Sequence, residues 1–404
     1  MSTVTVWLIV LCLTVVAMVY IFWNYARIKQ MPEGTAEMSE LAGIIRSGAE
    51  TFLKTEFKYI GIVLCVVAVI FCMVIEKTSG ISFLIGGLMS SIVCILGMKS
   101  ATYANVRTSN KARESLSIGE TVKVALCGGS ISGLAVQAFG MFGIILVLLL
   151  GEFCFDGGVS HTAESRGLLV NLVCNPTMMR ISTYSLGCSI VAMFNRVAGG
   201  NYTKAADISS DILGKLRHDL PEDDSRIPNT IADFIGDNVN DIAGNCSDLL
   251  ESFVATMSAT IMIAVTIYQV AVHEGKQIAE QAFTNATLFP IILAGCGLIG
   301  CLIGLGIANF KKMGDDPSRE LDLSTWISAG ITVVLGGIAS YVLFKEHDMT
   351  AYGWNRSRRV SCPWASSPRT ETAPTAITKA VIPVRNLVCP NMGYSLSLSP
   401  LLDN

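Results

Sequence analysis

Eight long apolar runs constrain this chain more than any other feature of its sequence. They fall near residues 5–24, 59–75, 80–98, 124–150, 180–200, 243–270, 288–310 and 325–344. Each run is long enough to cross roughly 30 Å of hydrocarbon as a helix. Only 15% of the residues are charged, against about 25% in an ordinary soluble domain. The sequence therefore predicts an all-α integral membrane protein, multi-pass and in contact with lipid, with about eight transmembrane helices.

The basic residues predict how these helices are oriented. The loops after spans one, three, five and seven hold 17 lysines and arginines, whereas the loops after spans two, four and six hold four. Positive loops stay inside, so we expect the N-terminus to face outward and the loop between spans five and six to be cytoplasmic. The net charge of −3 and the lack of a cluster of basic and aromatic residues give no support for a nucleic-acid partner.

Composition changes abruptly near the end of the last span. Residues 1–345 hold the predicted transmembrane domain, whereas residues 346–404 hold no apolar span and are rich in Pro, Ser, Arg and Thr. One interpretation of this tail is a disordered segment. The other, which we favour, is a frameshifted or misassembled end of a longer membrane protein.

One predicted helix carries a column of acidic side chains. At 100° per residue, five carboxylates fall within an arc of about 80°, over a length of about 27 Å at 1.5 Å per residue. They belong to Asp233, Asp237, Asp241, Asp248 and Glu251. The site helix, at about 229–270, would carry these acids from the cytoplasmic side down into the membrane.

The preceding site helix, at about 180–217, carries a mixed stripe. With Arg196 at zero, Asp207 lies at about 20°, Asp211 at about 60° and Lys215 at about 100°. If spans five and six are neighbours, the two stripes can face each other and form one polar chamber.

A solvated helix face is the alternative explanation for spaced acids. A solvated face normally mixes Glu with Lys four residues apart, whereas the acids from Asp233 onward have no basic partner on their helix. An unpaired acid in the membrane, such as Glu251, costs at least about 2.5 kcal/mol, so function is favoured. Several carboxylates suit Mg²⁺, which binds through acids together with a phosphate, and Lys215 and Arg196 suit an anionic oxygen.

Three segments now point to a known family. "YTKAADISSDILGK", "LPEDDSRIPNTIADFIGDNVNDIAG" and "SDLLESF" resemble the ion-translocating, membrane-bound inorganic pyrophosphatases. Weaker similarity, at "IIRSGAETFLKTEF" and "GMKSATYANVRT", extends from about residue 35 to residue 345. The resemblance implies a homodimeric sixteen-helix fold that hydrolyses Mg-bound pyrophosphate and drives Na⁺ or H⁺ outward.

The resemblance also implies roles for individual residues. Mg²⁺ and pyrophosphate would be held by Asp207, Asp211, Lys215, Glu222, Asp233 and Asp237, with Asp207, Asp211, Asp233 and Asp237 as the metal ligands. Asp241 would hold the attacking water. The ion gate would consist of Arg196, Asp248 and Glu251. A glutamate at 251 rather than at 255 is similar to the sodium pumps, although some proton pumps share it.

The chain departs from the family pattern in side chains and in length. The substitutions are Phe234 for Asn, Asn240 for Gly, Arg217 for Glu and Asn201 for an apolar residue. Eight spans are half of sixteen, so we expect the N-terminal half of the fold, without the second set of acids and lysines. That set includes the position that decides K⁺ dependence. We expect such a chain not to hydrolyse pyrophosphate alone.

Two other classes of function use the same acids. A non-enzymatic transporter or divalent-cation channel needs the carboxylates but no Lys215 or Arg196 facing them. A half-protein would pair with a second chain that supplies the missing helices. A bacterial inner membrane is the expected location, with an acidic compartment or vacuolar membrane as the second choice.

Overall fold

The chain folds into a bundle of long helices. A computed structural model describes residues 3–75, 77–154, 176–217, 219–220, 227–273, 280–310 and 316–344, and these residues contain no strand. The helices are α1 Thr3–Gln30, α2 Ala36–Val74, α3 Lys77–Ser115, α4 Ile118–Cys154, α5 Pro176–Asp211, α6 Pro228–Asp237, α7 Asn245–His273, α8 Glu280–Phe310 and α9 Pro317–Phe344. The prediction of an all-α chain is confirmed.

Two π-helical segments interrupt the α-helical pattern. The first, Ile212–Arg217, continues α5, and the second, Asn238–Gly244, joins α6 to α7. Because Asp237 and Asn245 keep helical backbone angles on either side of the second segment, α6 and α7 form one continuous rod. Within the described ranges, the chain thus has eight helical rods, and they cover the eight predicted spans.

Seven of these rods are long and apolar enough to cross a membrane. They are α1, α2, α3, α4, the α6–α7 rod, α8 and α9. The eighth rod is α5, which carries the mixed stripe of charge. Several helices extend well beyond the predicted spans. For example, α2 begins at Ala36, whereas the predicted span begins near residue 59. The prediction missed the first turns because they are amphipathic, and a search for apolar runs detects only the part of a helix that suits lipid.

The core lies around α3 and α4. In α4, 61% of the apolar stretch is buried inside the bundle, whereas in α9 the share is 6%. α3 packs against α2, α4 and α5. Its close approach to α5 depends on Gly86 and Gly187, since a side chain at either position would collide with the backbone carbonyl of Tyr184 or Phe83 opposite.

Candidate functional site

The helices that carry the two charged stripes are neighbours. A side chain at Gly236 of α6 would lie 2.9 Å from the Cα of Thr203 on α5. Likewise, a side chain at Gly199 of α5 would lie 3.3 Å from the Cα of Asn240 in the π segment. The condition on which the predicted chamber depends, direct packing of spans five and six, is therefore met.

Carboxylates from both helices act electrostatically on one lysine near the end of α5. Lys204 Nζ donates a hydrogen bond to Asp207 Oδ2 at 3.1 Å. This hydrogen bond and the charge of Asp207 raise the pKa of Lys204, and the charges of Asp233 and Asp237 raise it further. Asp207 lies on α5 and the other two acids on α6, so one ammonium group sits in the field of both stripes.

These three acids differ in their exposure. Asp233 is buried, with 7% of its surface exposed, whereas Asp237 is exposed and Asp207 is partly exposed. The site therefore has a buried acid on α6 and more open acids beside it. Such a gradient suits a ligand that enters from solvent.

Two further predicted ligands pair with each other. Lys215 Nζ donates to Asp211 Oδ2 at 3.0 Å, across one helical turn at the π-helical end of α5. The prediction for Glu222 falls outside the described residues.

The acids of this region are spread along two helices. Within the described ranges, no three His, Cys, Asp or Glu side chains are grouped closely enough to hold a metal ion. Their chemistry nevertheless suits Mg²⁺, because carboxylate oxygen is the donor that this hard cation prefers. Lys204 lies among the acids that would have to converge on the ion.

Asp241 lies on the π segment and is exposed. Its carboxylate accepts a hydrogen bond of 3.0 Å from the side-chain amide of Asn240, one of the residues that departs from the family pattern. Its backbone carbonyl accepts from Asn245 at 2.5 Å, and Asn245 accepts from Arg196 Nη1 at 2.6 Å. Arg196 is thus connected through an amide to the backbone at Asp241.

Two of the predicted gate residues, Glu251 and Arg196, make separate contacts between α5 and α7. Glu251 accepts a hydrogen bond from Ser189 Oγ at 2.8 Å, and both side chains are partly buried. Arg196 bonds to Asn245, and no ion pair joins it to Asp248 or Glu251 in the part of the chain that the structure describes. The structure therefore links α5 to α7 at two levels.

The prediction of one continuous 80° arc of acids is wrong between Asp237 and Asp248. A π-helical turn holds more residues than an α-helical turn, because its hydrogen bonds run from residue i to i+5. Positions after Gly244 are consequently rotated away from the extrapolated stripe. The predicted angles hold within α6 and within α7, but the π segment rotates the acids of α7 about the helix axis relative to those of α6.

Sequence reasoning missed three polar residues of this region. Lys204 and Ser189 lie at about 80° and about 20° when Arg196 is at zero, so both belong to the α5 stripe and its periodicity signals them. Asn245 carries no charge, so a search for charged stripes does not detect it, and only its contact with Arg196 reveals it.

The fold and the site together define a class: a multispanning, all-helical membrane protein with carboxylates and lysines on two adjacent helices. The family model for inorganic H⁺ pyrophosphatase matches residues 15–363. The chain belongs to this family.

Relatives from bacteria and a plant agree with this assignment. The chain is 41% identical over 330 residues to the K⁺-stimulated pyrophosphate-energized sodium pump of Thermotoga maritima, covering 80% of this chain and 45% of the pump. It is 30% identical to the K⁺-insensitive pyrophosphate-energized proton pump of Caldanaerobacter subterraneus, covering 78% of this chain and 43% of that pump. It is also 30% identical to pyrophosphate-energized membrane proton pump 3 of Arabidopsis thaliana, covering 79% and 41%. The chain spans about half the length of the curated relatives it matches.

Proposed function

We propose that this chain provides the pyrophosphate site and part of the ion path of a membrane pump that hydrolyses Mg-pyrophosphate and moves Na⁺ outward. The observation that supports this most directly is at Lys204, which donates a hydrogen bond to Asp207 of α5 and whose pKa is also raised by the charges of Asp233 and Asp237 on α6. Excess negative charge beside lysine suits a divalent cation and a small polyanion bound together.

The carboxylates of the site would hold Mg²⁺. The ligands in this proposal are Asp207, Asp211, Asp233 and Asp237, together with Glu222. Held by these carboxylates, Mg²⁺ would supply positive charge to offset that of pyrophosphate and to polarise its phosphoryl group. Lys215 and Lys204 would turn from their present partners, Asp211 and Asp207, to the phosphate oxygens, since lysine binds phosphate as a point charge on a flexible stem.

Asp241 is the proposed base for the attacking water. Its carboxylate is exposed and accepts one hydrogen bond, from Asn240, so it retains acceptor capacity for a water proton. Its place on the π segment, between the acids of α6 and Glu251 of α7, connects proton release at the site with the helix that carries the gate.

The deeper residues are the proposed gate. A partly buried acid in a membrane helix can bind a cation transiently as it crosses the membrane. Glu251 accepts a hydrogen bond from Ser189, and Asp248 lies about one helical turn before it. We favour Na⁺ over H⁺ because the 41% identical relative is a sodium pump and because the gate acid is at position 251. K⁺ is a candidate activator, given that relatives of both the stimulated and the insensitive kind exist.

The proposed setting is a homodimer in a bacterial cell membrane, with a vacuolar or other acidic-compartment membrane as the second choice. The experiment reconstitutes the chain in liposomes, alone and together with the C-terminal half of the Thermotoga maritima relative, and measures phosphate release from pyrophosphate. We expect release only with both halves and Mg²⁺. Ion flux without Mg²⁺ or pyrophosphate would instead indicate a channel.

Two variants assign the roles within this assay. Asp241→Asn is expected to abolish hydrolysis, because the base is lost, whereas Glu251→Gln is expected to block transport or to uncouple it from hydrolysis. Asp322→Asn, at an exposed position on α9, is the matched control and should retain both activities. Full turnover by Asp241→Asn would show that the proposed role of this residue is wrong.

A further inference from the structure

A buried carboxylate on α2 is used by none of the steps above. Glu56 has 7% of its surface exposed, and no lysine or arginine in the described ranges forms an ion pair with it. A charge without a counter-ion is costly to bury, so such a group must be neutral or well hydrogen-bonded.

One amide side chain connects Glu56 to the helices of the gate. One end of the Asn195 amide lies 3.2 Å from both carboxyl oxygens of Glu56. The other end lies 2.8 Å from Cys94 Sγ and 3.3 Å from Ser247 Oγ. The Cys94 thiol and the Ser247 hydroxyl in turn reach the carbonyl of Ala243, at 3.3 Å and 3.0 Å.

This placement ties α2 to the proposed ion path. Asn195 directly precedes Arg196, and Ser247 directly precedes Asp248. Ala243 lies in the π segment, two residues after Asp241. Every link of the network is buried.

We propose that Glu56 is a protonation site whose charge state is transmitted through the Asn195 amide to the π segment, which makes it a positioning residue for the gate. The link to the gate rests on the proposed function, whereas protonation and the change of hydrogen bonds do not.

Each charge state of Glu56 has its own complete set of hydrogen bonds. With Glu56 protonated, its O–H donates to the Asn195 oxygen, the amide N–H groups face Cys94 and Ser247, and these two donate to the Ala243 carbonyl. When the proton leaves to water, the amide turns over and its N–H₂ group donates to the carboxylate. Cys94 and Ser247 then both donate to the amide oxygen, and the Ala243 carbonyl loses both of its side-chain donors.

The neighbouring helices leave few other groups to titrate here. On α3 the titratable group of this network is the Cys94 thiol, which is buried and contacts Asn195. The charged groups of the other helices packed against α2 are engaged elsewhere: Arg196 of α5 with Asn245, and the acids of α6 beside Lys204. A pH response of this network is therefore assigned to Glu56.

Infrared difference spectroscopy of the purified chain in detergent tests the proposal without pyrophosphate. We expect a protonated-carboxyl C=O band that disappears as pH rises and is lost in Glu56→Gln. The control Glu50→Gln should keep the band, because Glu50 is an exposed acid on the same helix that pairs with Lys54.

The thiol provides a second readout that a purely structural carboxyl would not move. The S–H stretching band of Cys94, identified by its loss in Cys94→Ala, should shift as the carboxyl band disappears, and Glu56→Gln should abolish the shift. The thiol measurement on the unsubstituted chain remains valid even if Glu56→Gln does not fold. A carboxyl band that survives in Glu56→Gln, or an S–H band that does not move with pH, overturns the proposal.

Discussion

Two clusters of charged side chains lie near predicted cytoplasmic helix ends, and they differ in their ratio of acids to cations. Glu33, between α1 and α2, lies 2.7 Å from Arg46 and 3.0 Å from Arg107. At the other cluster, Asp207, Asp233 and Asp237 act together on Lys204. In the first cluster the cations outnumber the acid, and in the second the acids outnumber the cation.

The surroundings of the cations differ as well. Arg107 is buried, with 4% of its surface exposed, and it also donates to the carbonyls of Met31, Tyr103 and Lys29. The Lys204 side chain is 73% exposed. Ion pairs and backbone hydrogen bonds hold the first cluster together, whereas the second carries more negative than positive charge. The first cluster thus contains a buried, hydrogen-bonded arginine that supports the fold, whereas the second is the exposed, acid-rich site proposed to bind a ligand.

The largest expected effect on stability is at Arg107. Arg107→Met should lower the free energy of unfolding by about 3 kcal/mol, because it removes the donor to three partly buried backbone carbonyls and one of the two arginines that pair with Glu33. Denaturant titration in detergent measures this value. Arg113→Met, whose side chain is 54% exposed, is the control and should lose no more than about 0.5 kcal/mol. Equal losses would remove the distinction between the two clusters.

A smaller effect is expected in the pH dependence of the first cluster. Burial opposes ionisation of Glu33, but hydrogen bonds from Ser39 and Arg46 and the charges of Arg46 and Arg107 outweigh it and hold the pKa of Glu33 below its usual value. The stabilisation is therefore complete above the unfolded-state pKa and is lost as pH falls through the lower, folded-state pKa. Melting temperatures should fall over this acid range, less steeply in Arg46→Met; identical slopes would contradict the assignment.

At the second cluster, removal of an acid should leave stability nearly unchanged. Asp237→Asn removes a charge from an exposed side chain and keeps its size, so the free energy of unfolding should stay within about 0.5 kcal/mol of the original. The same variant should lose any thermal protection by Mg²⁺ with pyrophosphate. A variant that is strongly destabilised yet still protected by the ligand would reverse the comparison.

The smallest effect is expected at Lys204. Its raised pKa means that the stabilisation is complete below the ordinary lysine value and is lost as pH rises through the folded-state value. Thermal melting at alkaline pH should show a slight fall in stability that Lys204→Gln removes. Lys58→Gln, on α2 and exposed, is the control and should retain the fall.

The sequence predicted the helices better than their ends. Apolar runs locate the part of a helix that lies in lipid, which is why all eight rods were expected. The run starting near residue 59 concealed the amphipathic start of α2 at Ala36, because polar side chains there face solvent or the Glu33 cluster and add nothing to hydropathy.

Only those features of the site that depend on charge and helical periodicity were predictable from the sequence. The condition for facing stripes, that α5 packs directly against α6 and the π segment, is met. The π segment was not predictable, because hydrogen bonds from i to i+5 depend on tertiary contacts such as the 3.1 Å bond between Asn105 and Asn238. Uncharged residues such as Asn195 were missed for the same reason, because their hydrogen-bond partners lie far away in sequence.

The π segment has a mechanical consequence for the rod that contains it. A π turn accommodates roughly one surplus residue relative to an α-helix. If Asn238–Gly244 rewound to α-helical geometry, everything beyond it would turn by about 100° and advance by about 1.5 Å. The π segment can therefore absorb a change in helical winding. As a result, the rotation of Glu251 about the rod axis need not follow the rotation of Asp237.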